Sequence, residues 1–521
     1  MTNEIKAQLT AILGDDYIFD DTQSCVLYSQ DVYTKALPAM LVIKPTSSQV
    51  LAQAVKLITE AGIAIIPRGG GMSYTKGFVP AEKGSIIVDT SLLNEIIEVN
   101  TEDMYVRVQS GCTWKKLHET LKSTGFRTPF WGTLSGSRAT VGGGLSQNGI
   151  FWGSGQHGFA VDSVISLEVV LANGDIINTG SGAQINGTPF MRHYGPDLTG
   201  IFCTDNAALG IKTTVTLRLI AQLPHNDGVS FCFETFAQQS AVMSEVARQG
   251  LASETCGFDP YLQAQRLKRE SLASDVKSLM GVMKSAGGIG KALKQGAKVA
   301  LAGRNFVEAE SWSVHFIVED RTEAAVKERL NAIREIASKH EASEIENTIP
   351  KVLRANPFGP VNNMIGPNGE RWAPVHTLVP HSKAQLAYQK TSEIFDNHKA
   401  AIDKYNIGIG YLLASVSSNV FVLEPVFFWP DELNELHHHA IEPQHIKRVK
   451  TFAASPEARA AVQAIREDLI VSYKNLGGVH MQIGKTYLFE EGICDTNFKL
   501  LKEIKALVDP NNRMNPTALG L

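Results

Sequence analysis

The chain predicts an α+β fold in which two small α+β subdomains precede a sheet covered by helices. Three observations lead there. Between about residues 38 and 222, short apolar runs alternate with stretches whose apolar residues recur at helical spacing, the strand–helix–strand rhythm of a layered unit. Glycine-rich loops break that rhythm at 67–80, PRGGGMSYTKGFVP, and again at 132–158. From about 226 the pattern changes to longer strands, each followed by an amphipathic helix. With 521 residues, 44% of them hydrophobic and 20% charged, the chain has an ordinary globular composition and length for two or three domains with ample core.

In order, residues 1–36 read as one or two helices, 5–13 being the first. LVIK at 41–44 is a strand, and Ser47 and Ser48 cap a helix through 50–60. A buried strand at 63–66 runs into the first glycine loop. Strands follow at 85–88 and 105–108, with a helix or turn at 89–97 between them and a helix at 113–123. This gives one subdomain at 38–100 and a second at 101–222. The second holds strong strands at 166–171, around 175–179 and at 211–219, and Asn173-Gly174 signals a type I′ hairpin turn. Beyond 226, strands are expected at 229–234, 312–318 and 421–428, and helices at 324–339 and 383–405. Residues 433–475 read as largely helical, and 496–508 as a last helix before the ending DPNNRMNP, 509–516.

Gly69, Gly70 and Gly71 free the backbone to point successive N–H groups into one concavity, beside the cation Arg68. Such a nest suits a pyrophosphate. The second glycine stretch reads GTLSGSRATVGGGLSQNGIFWGSGQHG, and a third at 194–213 reads YGPDLTGIFCTDNAALGIKT. In order and spacing, these motifs and the terminal DPNNRMNP resemble the FAD-binding fold of the vanillyl-alcohol oxidase / p-cresol methylhydroxylase superfamily. That superfamily includes D-lactate dehydrogenases, glycolate oxidase subunits and alkylglycerone-phosphate synthases. The resemblance covers most of 38–220 and the C-terminal stretch. It implies a PCMH-type FAD-binding domain at 1–225, a substrate or cap domain at 226–475 and a segment, 476–521, that returns to the flavin.

By the same resemblance, Arg68, Gly69, Gly70, Gly71, Met72 and Ser73 cover the FAD diphosphate, and Tyr74 lies near the substrate. Ser135, Thr140, Gly142, Gly143 and Ser146 form a second contact set, Ile211 an adenine-side strand, and Asn515 a contact to the flavin ring. Many relatives attach FAD covalently through a histidine just after the first glycines. Met72 stands there, and it has no nucleophilic nitrogen. His437, His438 and His439, in the cap region, read as a solvent-facing helix. Non-covalent FAD is therefore expected.

Flavin oxidation of an alcohol needs a base for the hydroxyl proton, and histidine is suited to that role by its pKa. The cap region offers RWAPVH at 371–376, with Arg371 and His376; Glu424 in FVLEPVFFW; and His480 in GGVHMQIGKTY, with Lys485 and Tyr487 nearby. Resemblance to the D-2-hydroxy-acid dehydrogenases implies that a basic residue, here Arg371, binds substrate carboxylate, with His376 or His480 as base. Their two-histidine metal segment is missing at 410–425, so no metal site like theirs is expected; Glu424 and His480 stand in its place, with or without a metal. Tyr74 and YGPDLTGIF, with abundant cap aromatics, equally resemble the phenol-oxidising branch, although that branch's aspartate and its tyrosine–arginine pair have no counterparts at 135 and 479–480. The leading expectation is an FAD-dependent oxidoreductase of a 2-hydroxy acid or related alcohol; the second is an oxidase or dehydrogenase of para-substituted phenols. A transferase resembling alkylglycerone-phosphate synthase is a third.

Formal net charge is −4, which gives no field for nucleic acid. The six cysteines form no CxxC pair, as expected for scattered thiols in a reducing compartment. No secretory signal or membrane-spanning run is read, so a cytoplasmic protein is expected. Residues 264–304 mix basic and apolar residues and suggest a peripheral contact with anionic lipid at the inner membrane. The expected partners are a small-molecule substrate, an electron acceptor (quinone, cytochrome or oxygen) and a second copy of the chain.

Overall fold

A computed structural model describes residues 2–269 and 311–521. Most of the basic stretch at 264–304 lies outside the described residues. Three sheets organise the rest.

The first sheet orders its strands Ile18–Phe19, Leu41–Ile43, Ile86–Asp89 and Ile65–Arg68, the last three parallel. Parallel strands need a crossover, and helix Ser48–Glu60 supplies the one from Leu41–Ile43 to Ile65–Arg68, which flank Ile86–Asp89. Ser47 is its N-cap, its hydroxyl accepting from the Val50 N–H, and Leu51, Val55 and Ile58 fill the face against the sheet.

The second sheet is antiparallel, in the order Ile96–Asn100, Tyr105–Gln109, Ile211–Arg218, Val164–Val170 and Ile176–Asn178. The helix or turn expected at 89–97 is a 3-10 turn at Thr90–Leu92, and residues 96–100 are a strand of this sheet that was not expected. The division between the two sheets therefore falls before residue 96 rather than at 100. The isoleucines and glutamate there are only half-buried, so their periodicity carried little signal. The hairpin at 171–175 also differs from expectation. Only Gly174 has positive φ, 83°, and Leu171 and Asp175 close a three-residue loop. That is a type I turn with glycine at the bulge, not type I′.

The third sheet has eight strands, all antiparallel. Its path runs Ser343–Ile345, His225–Phe233, Trp312–Asp320, Glu254–Phe258, Gly408–Val416, Val420–Trp429 and Arg371–Pro374, with Thr377–Val379 also paired to Val420–Trp429. Helices Phe236–Arg248, Glu323–Ser338 and Ala384–Asn397 cover one face through Val242, Met243, Val326, Ile333 and Ala387. The expected helix at 383–405 is two, meeting at His398. No described helix is long and apolar enough to cross a membrane.

Two seams tie the C-terminal chain to the sheets. Val479 and Leu378 exchange both backbone hydrogen bonds, at 2.8 and 3.0 Å, which lays the 479–482 strip beside Thr377–Val379. Further on, Ile65 donates to the Arg513 carbonyl and accepts from the Asn515 N–H, both at 2.8 Å, so the ending DPNNRMNP borders the strand that feeds the first glycine loop.

Candidate active site

Strand Ile65–Arg68 delivers Arg68 to the edge of a cavity of about 60 Å³. Of the residues expected at a flavin, Arg68, Gly69, Gly142, Gly143, Ser146 and Ile211 line it. Phe78, Ser110, Gln147, Asn206 and Lys212, which sequence reasoning missed, line it too. The other expected residues act around it. Thr140 caps helix Val141–Ser146 by accepting from the Gly143 N–H, and Ser135 holds the preceding turn by accepting from the Arg138 and Ala139 N–H groups. Ser73 shares a 3.0 Å hydroxyl bond with Thr75. Met72 packs, half-buried, against the cluster that holds Tyr74 and Trp429. Asn515 is buried and donates to the Gly77 and Asn206 carbonyls at 2.8 and 2.7 Å.

The lining suits an anion. The Arg68 guanidinium is 6% exposed, wedged between the rings of Tyr28 at 4.5 Å and Phe78 at 5.3 Å. Burial lowers its pKa against the opposing charge of Asp89, and among the described residues its Nε has no partner and no carboxylate is ion-paired to it. An unpartnered buried guanidinium is costly unless an anion joins it. Beside it the glycines are required by space: a Cβ on Gly70 would lie 2.0 Å from the Arg138 carbonyl oxygen, and one on Gly69 2.4 Å from Thr140 Oγ1. Gly71 takes φ +70°. The residues present therefore fit FAD.

A second, polar cluster lies where the 479–482 strip meets the eight-stranded sheet and the first glycine loop. Gln482 ties it to the cavity: its N–H donates to the Gln147 carbonyl at 2.8 Å and its side-chain amide to Tyr74 Oη at 3.4 Å. The two histidines differ in what they leave free. His376, fully buried, donates from Nε2 to the Met481 carbonyl at 2.7 Å, and its Nδ1 accepts from the Tyr487 hydroxyl at 3.0 Å. Tyr487 Oη in turn accepts from the His376 backbone N–H. Both ring nitrogens are engaged. His480 donates from Nδ1 to the His376 carbonyl at 2.8 Å and stacks on Tyr487 with centroids 3.9 Å apart. Its Nε2 is thereby left as an unprotonated acceptor. Burial pulls both histidines down, His376 to about 3 and His480 to about 4, so both are neutral at pH 7.

Glu424 faces the same space. Its carboxyl is buried, makes no hydrogen bond among the described residues, and is pushed up to about 7 by burial. Burial, and then the Glu424 charge, raise the Tyr74 phenol. The Tyr487 phenol is raised by burial as well. The cation here is one that sequence reasoning missed. Arg466, on helix Pro456–Asn475, is 2% exposed, lies 3.9 Å over the Tyr33 ring, and leaves Nη1 without a partner. Its charge acts on Tyr74, Tyr487 and His376. Arg371, expected as the anion anchor, is otherwise engaged: it donates to the Val32, Tyr33 and Glu432 carbonyls and stacks on Trp429. It borders a separate cavity, of about 470 Å³, with Lys35 and Arg459. Only a tertiary packing signal distinguishes the two arginines; in sequence Arg466 is one charge on an amphipathic helix.

Comparison with known proteins identifies the cofactor. Residues 39–180 match the FAD binding domain family. Over 530 aligned residues the chain is 28% identical to a mitochondrial D-lactate dehydrogenase [cytochrome] of Arabidopsis thaliana, covering 99% of this chain and 80% of that one. It is 28% identical over 261 residues to the glycolate oxidase subunit GlcD of Bacillus subtilis (strain 168), covering 50% of this chain and 53% of that one. The chain is an FAD-dependent oxidoreductase. The fold of this oxidoreductase is shared with p-cresol methylhydroxylase solved with substrate bound, at TM-score 0.74 and 17% identity over 100% of this chain and 96% of that one. It is also shared with a 4-ethylphenol oxidase from Gulosibacter chungangensis, at TM-score 0.72 and 17% identity over 99% and 97%.

Three further expectations concern the oxidoreductase's other reactive groups. His437 is buried and accepts a backbone N–H from Asn434, while His438 and His439 are exposed. Cys25, Cys112 and Cys203 are buried thiols outside any disulfide. Among the described residues, no group of three or more His, Cys, Asp or Glu side chains could hold a metal ion.

Proposed function

We propose that this oxidoreductase oxidises the hydroxyl-bearing carbon of a 2-hydroxy acid or related alcohol, with His480 as the base. The observation that carries the reading is the open Nε2 of His480, set by the 2.8 Å bond from Nδ1 to the His376 carbonyl. FAD, when bound, supplies the hydride acceptor. His480 takes the substrate hydroxyl proton at Nε2. His376, with both nitrogens engaged, positions His480 and Tyr487. Arg466, rather than Arg371, supplies the positive charge for a carboxylate, and Glu424 and Tyr74 order the substrate's polar end. The names of the relatives, a D-lactate dehydrogenase and a glycolate oxidase subunit, support a hydroxy-acid substrate.

A second reading, oxidation of a para-substituted phenol, is favoured by one arrangement. Tyr74 and Tyr487 converge near the Arg466 charge, and Trp372 meets Tyr74 edge-on with centroids 5.6 Å apart. Two phenols and a guanidinium would hold a phenolate. Anaerobic bleaching of the flavin's visible band by D-2-hydroxy acids, and not by para-alkyl phenols, is the result expected of the first reading. Bleaching by phenols alone replaces it with the second, and bleaching by neither removes both.

The same proposal takes 1–225 as the FAD-binding domain, 226–475 as the cap and 476–521 as the closing segment. It takes FAD as non-covalent, because Met72 stands at the first glycines and His437 is engaged with Asn434. Acid precipitation should then release all flavin to the supernatant.

A further inference from the structure

A cavity of about 930 Å³ lies away from both sites described above, at the seam between the second sheet's subdomain and the eight-stranded sheet. Helix Trp114–Leu121 and the residues after it contribute His118 and Lys122. Helix Glu323–Ser338 contributes Lys327, and helix Thr348–Ala355 contributes Lys351 and Arg354. Trp131 forms part of the floor.

The wall is built rather than incidental. Arg127, 2% exposed, binds Glu319, and Arg354 binds both Glu319 at 2.6 Å and Glu254 at 3.3 Å. This buried network holds the two guanidiniums against the cavity. Arg354 lies 4.8 Å over Trp131, and His118 stacks on Trp131 at 4.7 Å. Two lining groups are buried donors without acceptors, Arg127 Nε and Trp131 Nε1. The His118 ring has no hydrogen-bond partner among the described residues and, held neutral by burial at about 3, can both donate and accept. Lys122 and Lys327 line the cavity without ion-pair partners among the described residues, whereas Lys351 is 3.7 Å from Asp227. Five cations, Lys122, Arg127, Lys327, Lys351 and Arg354, line the cavity against two carboxylates, Asp227 and Glu323. Its surplus is in donors and cations, which a ligand rich in acceptor oxygens would satisfy.

We propose that this seam cavity binds a small organic oxyanion, a carboxylate- or phosphate-bearing metabolite, separately from the redox substrate. Isothermal titration of the flavin-loaded protein with citrate, inorganic phosphate and AMP, at ionic strength held constant with KCl, tests it. The expected result is saturable 1:1 binding of at least one probe. The exposed Lys122→Ala and Lys327→Ala changes should each weaken binding about threefold, and the double change about tenfold, with the flavin spectrum unchanged. Citrate binding alone identifies a carboxylate ligand, and binding of phosphate and AMP a phosphoryl ligand; both support the site. Trp131→Phe should abolish the tryptophan-fluorescence change produced by the bound probe. No saturable binding of any probe overturns the proposal. So does binding that the double variant leaves intact.

Discussion

Replacing His480 by glutamine separates the two histidines most directly. Glutamine keeps a polar side chain of similar reach but removes the imidazole acceptor. The ring has one engaged nitrogen, Nδ1, bonded to the His376 carbonyl at 2.8 Å, and a face stacked on Tyr487 at 3.9 Å. The loss therefore has two parts. Removing a positioned general base costs about 10²–10⁴-fold in the rate of flavin reduction. Removing the hydrogen bond and the stack costs about 1–2 kcal/mol of stability, which lowers the melting temperature by a few degrees. Anaerobic stopped-flow reduction with the bleaching substrate measures the first part, and thermal melting the second. The pH profile adds a sign. Because burial holds His480 down at about 4, its neutral, proton-accepting form persists across the neutral range. The wild-type reduction rate should rise with pH only up to about 5 and then stay flat, so far as this group governs it. His376→Asn, by contrast, removes bonds to Met481 and Tyr487 and should lower stability more than His480→Gln does. Reduction within about threefold of wild type in His480→Gln, with a large loss in His376→Asn, would refute the assignment of the base.

Four other outcomes are expected. Gly70→Ala places a Cβ 2.0 Å from the Arg138 carbonyl oxygen, against backbone that cannot swing aside; the purified protein should lose most of its flavin, read as the ratio of visible to ultraviolet absorbance. Arg466→Met should raise KM for a hydroxy acid by about 10–100-fold, the worth of a charged hydrogen bond, while Arg371→Met should leave KM near wild type and lower the melting temperature. Glu319→Gln leaves the Arg127 and Arg354 guanidiniums buried without their shared carboxylate, and should destabilise by about 3–5 kcal/mol, seen as a lower denaturation midpoint. Glu424 is held at about 7, above its unfolded value, so the stability it permits is fully present below about pH 4.5 and is lost as pH rises through 7. Glu424→Gln should therefore melt higher than wild type at pH 8 and no higher at pH 4.5.

What was legible in the sequence was whatever local chemistry dictates. The crossover helix at 48–60 could be read because Ser47 caps it and one apolar stripe recurs at helical spacing. The glycine loop could be read because three consecutive glycines have few uses besides close backbone approach, and Gly70 against Arg138 shows the approach. The strand Ile96–Asn100 was missed because its side chains are half-buried, and half-burial blurs the period-two pattern. The hairpin type was missed because Asn-Gly favours type I′ only when the loop has two residues, and loop length depends on the pairing of Leu171 with Asp175.

The two arginines show where sequence reading of a site stops. Arg371 adjoins an aromatic strand and two nearby histidines, the more suggestive setting on paper. Yet the carbonyls of Val32 and Tyr33, far away in the chain, and of Glu432 take up its Nη1 and Nη2, and only Nε is without a partner among the described residues. Arg466 has nothing nearby in sequence to suggest it, but its helix passes behind Tyr74, Tyr487 and His376, and Nη1 is left without a partner. A buried cation already bonded to carbonyls has little further to gain from an anion. One left short of acceptors lowers the free energy of whatever anion reaches it. The proposed exchange of Arg371 for Arg466 thus rests on a count of satisfied donors, fixed only when distant segments close around the guanidinium.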